Sequence, residues 1–193
     1  KIKVSSYEKK ENIMITVGRL GSEQKNTELL LNSLENIELK DWKILLIGPY
    51  TDEFRVFYEK FLDENNDKRE KVLLIGNIED KNILYEYYNR AKVFILTSRY
   101  ESFGLVLGEA LRFGDYIIST NVGMARDFSN KNIGKIIESD NKSILEREIL
   151  NIINNEIDLK ENFELSINLS KDFNWNKIIQ NKKFELLFRG NKR

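Results

Sequence analysis

Two carboxylates, Glu101 and Glu109, flank an apolar stretch that includes Phe103, Gly104, Leu105, Val106 and Leu107, with seven residues between them. The stretch reads as a helix start followed by a helix, with Leu105, Val106, Leu107, Ala110 and Leu111 supplying an apolar surface. An acid inside such a surface needs a partner, because burying a lone carboxylate is costly. The helix start at Phe103-Gly104-Leu105 offers backbone N–H groups and the positive end of a dipole, a place phosphate favours. Earlier in the chain, Arg19 and Lys25 follow an apolar run that ends at Gly18. An Arg fork, a Lys point charge and a helix N-terminus converging on one rim suit a diphosphate. Glu109 suits a pair of sugar hydroxyls, since a carboxylate accepts two hydrogen bonds side by side. Glu101 suits hydroxyls on the group attached to the far phosphate. Together these residues describe a nucleotide-diphosphate sugar. Plainer readings stay open: an ion pair between Glu109 and a neighbouring Lys or Arg, and a Glu101 favoured only by the helix dipole.

These residues must be positioned by the elements between them. Asn12 to Gly18, Trp42 to Gly48, Val72 to Ile75, Val93 to Thr97, Tyr116 to Thr120 and Gly134 to Ile137 are short β-rich apolar runs, most of them ending in glycine or a polar turn. Helical spacing follows them from Asn26, over 52–65, over 81–90 and through 105–113, with Gly114 as the stop. The first of these helices carries Leu29, Leu30, Leu34 and Ile37 on one face, and the second Phe54, Phe57, Tyr58, Phe61 and Leu62. Strand, turn and helix in repetition predict an α/β fold: a Rossmann-like, doubly wound parallel sheet. Ligands of such sheets bind beyond the carboxyl ends of the strands, where Gly18, Arg19, Lys25, Ile78 and Glu101 to Leu105 all fall. Helices at about 142–154, 160–171 and 174–188 have no strands between them and are expected to pack against one edge or to reach towards a partner. Residues 1–11 read as a linker or edge segment, and 189–193 as a frayed end. No internal repeat or low-complexity linker divides the chain, so residues 1–193 read as a single domain.

Composition narrows the chemistry. Lys plus Arg and Asp plus Glu are both 31, for a formal net charge of zero, which argues against a general nucleic-acid surface. There is no cysteine and no histidine, so disulfides, thiol chemistry, imidazole metal sites and Ser-His catalysis are excluded for this chain. No apolar run is long enough to span a bilayer. The expected location is the cytoplasm, with peripheral contact at the inner membrane face open to the whole enzyme.

The spacing Glu101…Glu109 around Phe103-Gly104-Leu105 resembles the E-x7-E signature of retaining GT-B glycosyltransferases, family 4. Gly18-Arg19-Leu20 with Lys25-Asn26 resembles that family's phosphate loop, Gly76-Asn77-Ile78 its base-binding turn, Asn121-Val122-Gly123 its N/D-V-G segment, and Phe173-Asn174-Trp175 the start of its C-terminal helix. The resemblance implies transfer of a sugar from a nucleotide-diphosphate sugar, UDP- or GDP-linked, to a hydroxyl acceptor with retention. It implies that no cofactor and no divalent metal are needed. Arg19, Lys25 and Glu101 would be catalytic: the cations neutralise the leaving diphosphate and Glu101 places the donor sugar. Gly18, Phe103, Gly104 and Leu105 would surround phosphate and sugar, Ile78 would border the base through its backbone, and Glu109 would hold the ribose.

The sequence departs from the family pattern at Gly114-Asp-Tyr-Ile117, at Met124 after Gly123, and at Asp127, where a Glu is usual; these departures bear on the sugar pocket. Only the second, donor-binding half of the two-domain family is matched. The N-terminal acceptor domain is expected to be absent, the helix over 174–188 would cross to it, and the fragment alone would turn over poorly. Two rival readings are a non-catalytic nucleotide-binding module and a GT-B nucleotide-sugar epimerase.

Overall fold

The computed structural model describes residues 3–128 and 132–171. Six parallel strands run through it: β1 Ile13–Val17, β2 Lys43–Ile47, β3 Val72–Gly76, β4 Val93–Leu96, β5 Tyr116–Thr120 and β6 Gly134–Ile137. They form one sheet in the order β3-β2-β1-β4-β5-β6. Among the described residues six α-helices accompany them: α1 Thr27–Leu34, α2 Asp52–Glu64, α3 Lys81–Arg90, α4 Leu105–Phe113, α5 Lys142–Ile153 and α6 Leu159–Ser170. The near-continuous apolar strands arise because both faces are covered, and β1, β4 and β5 are buried along their whole length. Alternate residues serve alternate faces. Met14, Ile44 and Leu46 pack with Leu30, Leu34, Phe54 and Phe61 on one side. Ile15, Leu45 and Phe94 pack with Tyr88, Leu107, Leu111 and Phe113 on the other.

The architecture is the Rossmann-like α/β sheet expected. The order reverses direction between β1 and β4, which places a crevice at their carboxyl ends. Three expectations change in detail. Helix α1 stops at Leu34, and Ile37 follows it as a buried residue outside the helix. The later helices do not share one edge: Leu145, Ile149 and Ile152 of α5 join the core on the face of α1 and α2, while α6 lies against α4 and β5. Residues 3–11, expected as a linker or edge segment, lie against the domain at the end remote from that crevice. Lys10 is buried there, bonded to Asp115 Oδ1 at 2.7 Å, to the carbonyl of Tyr88 at 3.1 Å and to that of Ala91. The Phe173-Asn174-Trp175 segment, the helix expected over 174–188 and the tail over 189–193 lie outside the described residues. Among the described residues no helix is long and apolar enough to cross a membrane.

Candidate functional site

The loop after β1 is wound tightly, with the backbone N–H groups of Lys25 and Asn26 donating to the Ser22 carbonyl at 2.9 and 3.0 Å. The winding turns Lys25 back over the end of its own strand. A β-carbon on Gly18 would stand 2.9 Å from Lys25 Cε, so the lysine side chain lies directly across Gly18. Beside it, a cleft of about 300 Å³ opens at the carboxyl ends of β1, β2 and β3. Val17, Gly18, Arg19, Lys25, Ile47, Gly48, Pro49, Asn77, Ile78 and Leu84 line it. The cations Arg19 and Lys25 and the apolar Ile78, far apart in sequence, thus share one cavity. Arg19 is exposed, and its Nη2 donates to Gln24 Oε1 at 3.2 Å. Gln24 Nε2 in turn donates to the Tyr100 carbonyl at 3.1 Å, tying the β1 loop to the β4 loop across the switch point.

The β4 loop supplies the acid. Lys25 Nζ donates to Glu101 Oε1 at 2.5 Å, with the two side chains 15% and 9% exposed. The hydroxyl of the buried Ser98 donates to the same oxygen at 2.7 Å. Thr97 Oγ1 donates to the Lys25 carbonyl at 2.9 Å, so consecutive residues of the β4 exit hold both partners of the pair. Beyond Glu101, Gly104 takes a left-handed conformation and opens α4; the Leu107 N–H donates to the Gly104 carbonyl at 2.9 Å, and no side chain caps the helix start. The helix start is braced from the β5 exit, where the Met124 N–H donates to the Phe103 carbonyl at 2.9 Å. At Gly123, φ is +52° and a β-carbon would fall 2.5 Å from the Phe103 oxygen, so the brace requires glycine. Leu105 and Tyr100 are exposed at this rim.

Glu109 stands apart from the cavity wall, on the second turn of α4. Its Oε2 accepts from the Tyr88 hydroxyl at 3.3 Å, and Lys81 Nζ lies 3.6 Å from its Oε1. Tyr88 is buried between Phe94 and Phe113, and burial first, then the Glu109 charge, raises its hydroxyl well above the ordinary pKa of 10. It therefore remains a neutral donor to the carboxylate. The ion-pair reading left open for Glu109 corresponds to this exposed Lys81. Sequence reasoning missed Gln24, Thr97, Ser98 and Leu84. Ser98 opens the very stretch that carries Glu101, but nothing in its spacing distinguishes a ligand to a carboxylate from a strand-end serine.

The same architecture recurs among proteins of known sequence and structure. The amylovoran biosynthesis glycosyltransferase AmsD of Erwinia amylovora is 25% identical over 157 residues, 81% of this chain and 42% of that protein. Glycogen synthase of Streptococcus sanguinis is 30% identical over 111 residues, 58% of this chain and 22% of its own length. The chain therefore spans less than half of either relative. Sucrose-phosphate synthase from Thermosynechococcus elongatus superposes with a TM-score of 0.75 at 25% identity, over 94% of this chain and 46% of that one. The pneumococcal O-GlcNAc transferase GtfA shares the fold with a TM-score of 0.76 at 19% identity, over 98% of this chain and 38% of that one. The sheet and its helices match GT-B glycosyltransferases. The family described as glycosyl transferases group 1 matches residues 1–168, a span that takes in the cleft, its ion pair and the helix behind them, and the chain belongs to that family.

Proposed function

We propose that this chain is the donor-binding domain of a retaining glycosyltransferase. The enzyme moves a sugar, a hexose in our reading, from a nucleotide-diphosphate donor to an acceptor hydroxyl. The observation that carries this reading is the meeting of Arg19 and Lys25 on one cleft at the sheet's switch point, with Glu101 bonded to Lys25 on its far side. Arg19 and Lys25 hold the diphosphate and stabilise the charge it gains as the sugar departs. Groups fixed in place before the reaction favour that state over the ground state. The N-terminus of α4, at Phe103-Gly104-Leu105, adds a dipole towards the same charge. Glu101 orients the transferred sugar, Glu109 takes the ribose hydroxyls, and Gly18 and Ile78 border the phosphate and the base. The departing phosphate accepts the acceptor's proton, so the chain needs no histidine base. The cations do the work a divalent metal does elsewhere, and the enzyme acts in the cytoplasm with an acceptor domain supplied beside this one.

Proteins of similar fold support a nucleotide ligand: Staphylococcus aureus TarM and Anabaena HepE are each known in complex with UDP, and GtfA in complex with UDP and GlcNAc. The test is calorimetry of the 193-residue chain with UDP, GDP and ADP. At least one should bind in the millimolar-to-micromolar range, and the double variant Arg19→Ala/Lys25→Ala should abolish binding. Undiminished affinity in the double variant would sink the assignment.

A further inference from the structure

Of the two cations that line the cleft, Lys25 is not held in reserve for a ligand. Lys25 is already engaged by Glu101, in a pair with little access to water, and Ser98 adds a second hydrogen bond to the same carboxylate oxygen. The Lys25 backbone is fixed separately by Thr97, so the ammonium group can change partners without the loop moving. A diphosphate approaching Lys25 meets a fixed negative charge at the position it needs. It must take the ammonium from Glu101 and leave that carboxylate with a lost charge-assisted bond.

We propose that Glu101 is a built-in counter-anion that weakens the grip of this site on a bare diphosphate. Its carboxylate exchanges Lys25 for the hydroxyls of a sugar when the diphosphate carries one. This rests on the donor-site reading above. Selectivity between two ligands is a difference of affinities, and a fixed charge placed against one of them produces it. A spent nucleoside diphosphate displaces Glu101 and offers it nothing in return. An intact donor displaces it and supplies new hydrogen-bond donors. The pair thus biases the site towards the loaded donor and hastens release of the diphosphate product. Ser98 is a positioning residue in this scheme, holding the carboxylate against Lys25 while the site is empty.

The experiment is calorimetry of the 193-residue chain with inorganic pyrophosphate, which is indifferent to the base, and with UDP and UDP-glucose as a matched pair. Glu101→Gln keeps the shape and removes the charge. It should bind pyrophosphate about tenfold more tightly than the parent, the equivalent of one charge-assisted hydrogen bond. It should also lose whatever preference the parent has for UDP-glucose over UDP. Ser98→Ala should shift pyrophosphate affinity in the same direction by a smaller factor, and serves if Glu101→Gln does not fold. Glu79→Gln, an exposed acid next to Ile78, controls for general charge removal and should change affinity less than twofold. Equal or weaker pyrophosphate binding in Glu101→Gln, or an equal gain in Glu79→Gln, overturns the exchange and leaves the donor-site reading standing. A parent chain that binds neither pyrophosphate nor any nucleoside diphosphate overturns both.

Discussion

Lys10 and Asp115 form an ion pair at 2.7 Å whose side chains are both fully shielded from solvent. The pair joins the segment before β1 to the turn between α4 and β5, across 105 positions of sequence. Lys10 also satisfies the Tyr88 carbonyl, so it closes the end of the domain opposite the cleft. Replacing it with methionine leaves a buried acid without its cation. At pH 8, where Asp115 is ionised, Lys10→Met should lower unfolding stability in urea by about 3–5 kcal/mol, while Lys10→Met with Asp115→Asn should recover part of that loss.

The same acid gives a pH dependence. Burial pushes the Asp115 carboxyl up to about 7 despite the attraction of Lys10. In the unfolded chain it titrates near its ordinary value of 3.8, so between these limits the folded state holds a proton that the unfolded state has released. The contribution of this group to stability is therefore greatest below about pH 4 and is lost as pH rises through 7. Asp115→Asn cannot ionise. Urea midpoints measured from pH 4 to 8 should show the parent losing ground to this variant as pH rises.

Gly123 is the narrowest point of the strap between the β5 exit and the start of α4. Gly123→Ala would combine an unfavourable φ with a contact on the Phe103 carbonyl. We expect a loss of about 1–3 kcal/mol in urea unfolding. Pyrophosphate binding should weaken as well, because the added carbon pushes on the Phe103 carbonyl that braces the start of α4, the helix end whose dipole favours phosphate.

Tyr88 separates packing from polarity. Tyr88→Phe keeps the stacked rings of Phe94 and Phe113 and removes only the hydroxyl that donates to Glu109. Its cost should be about 1 kcal/mol. Tyr88→Ala should cost about 3–5 kcal/mol by leaving a cavity in the core. Both are read by chemical denaturation.

Lys81 and Glu109 separate a surface pair from a binding role. Lys81 is largely exposed, so Lys81→Ala should change stability by less than about 1 kcal/mol. Nucleotide affinity should stay within about twofold, whereas Glu109→Gln should weaken it about tenfold if the carboxylate holds a ribose. Parallel titrations with UDP distinguish the two.

Much of this molecule is legible in its sequence, for identifiable reasons. Apolar runs such as Val93 to Leu96 and Tyr116 to Thr120 carry the sheet because strands covered on both faces need no polar alternation. Glycines at strand exits mark the rim, and Arg19 and Lys25 stand out because cations there have few structural uses. The contacts between loops are less visible. Nothing in the spacing pairs Lys25 with Glu101, 76 positions away, or selects Ser98 as the second donor. Lys10 reads as one more charge in a polar segment, because its burial is decided by Asp115 at the far end of another helix. Helix α5 shows its apolar stripe in sequence, but the face that receives it is a property of the assembled sheet.

The cleft draws its two sides from parts of the sheet with different support. Lys25 and Glu101 leave from β1 and β4, central strands that are buried throughout. Asn77 and Ile78 leave from β3, a marginal strand whose last four residues are half-exposed. Amide exchange on β1 and β4 should then report only rare global opening, while the end of β3 samples cheaper local excursions. Substitutions at the margin can retune what rests against Ile78 while the anionic grip, rooted in the slowest-opening strands, keeps its geometry.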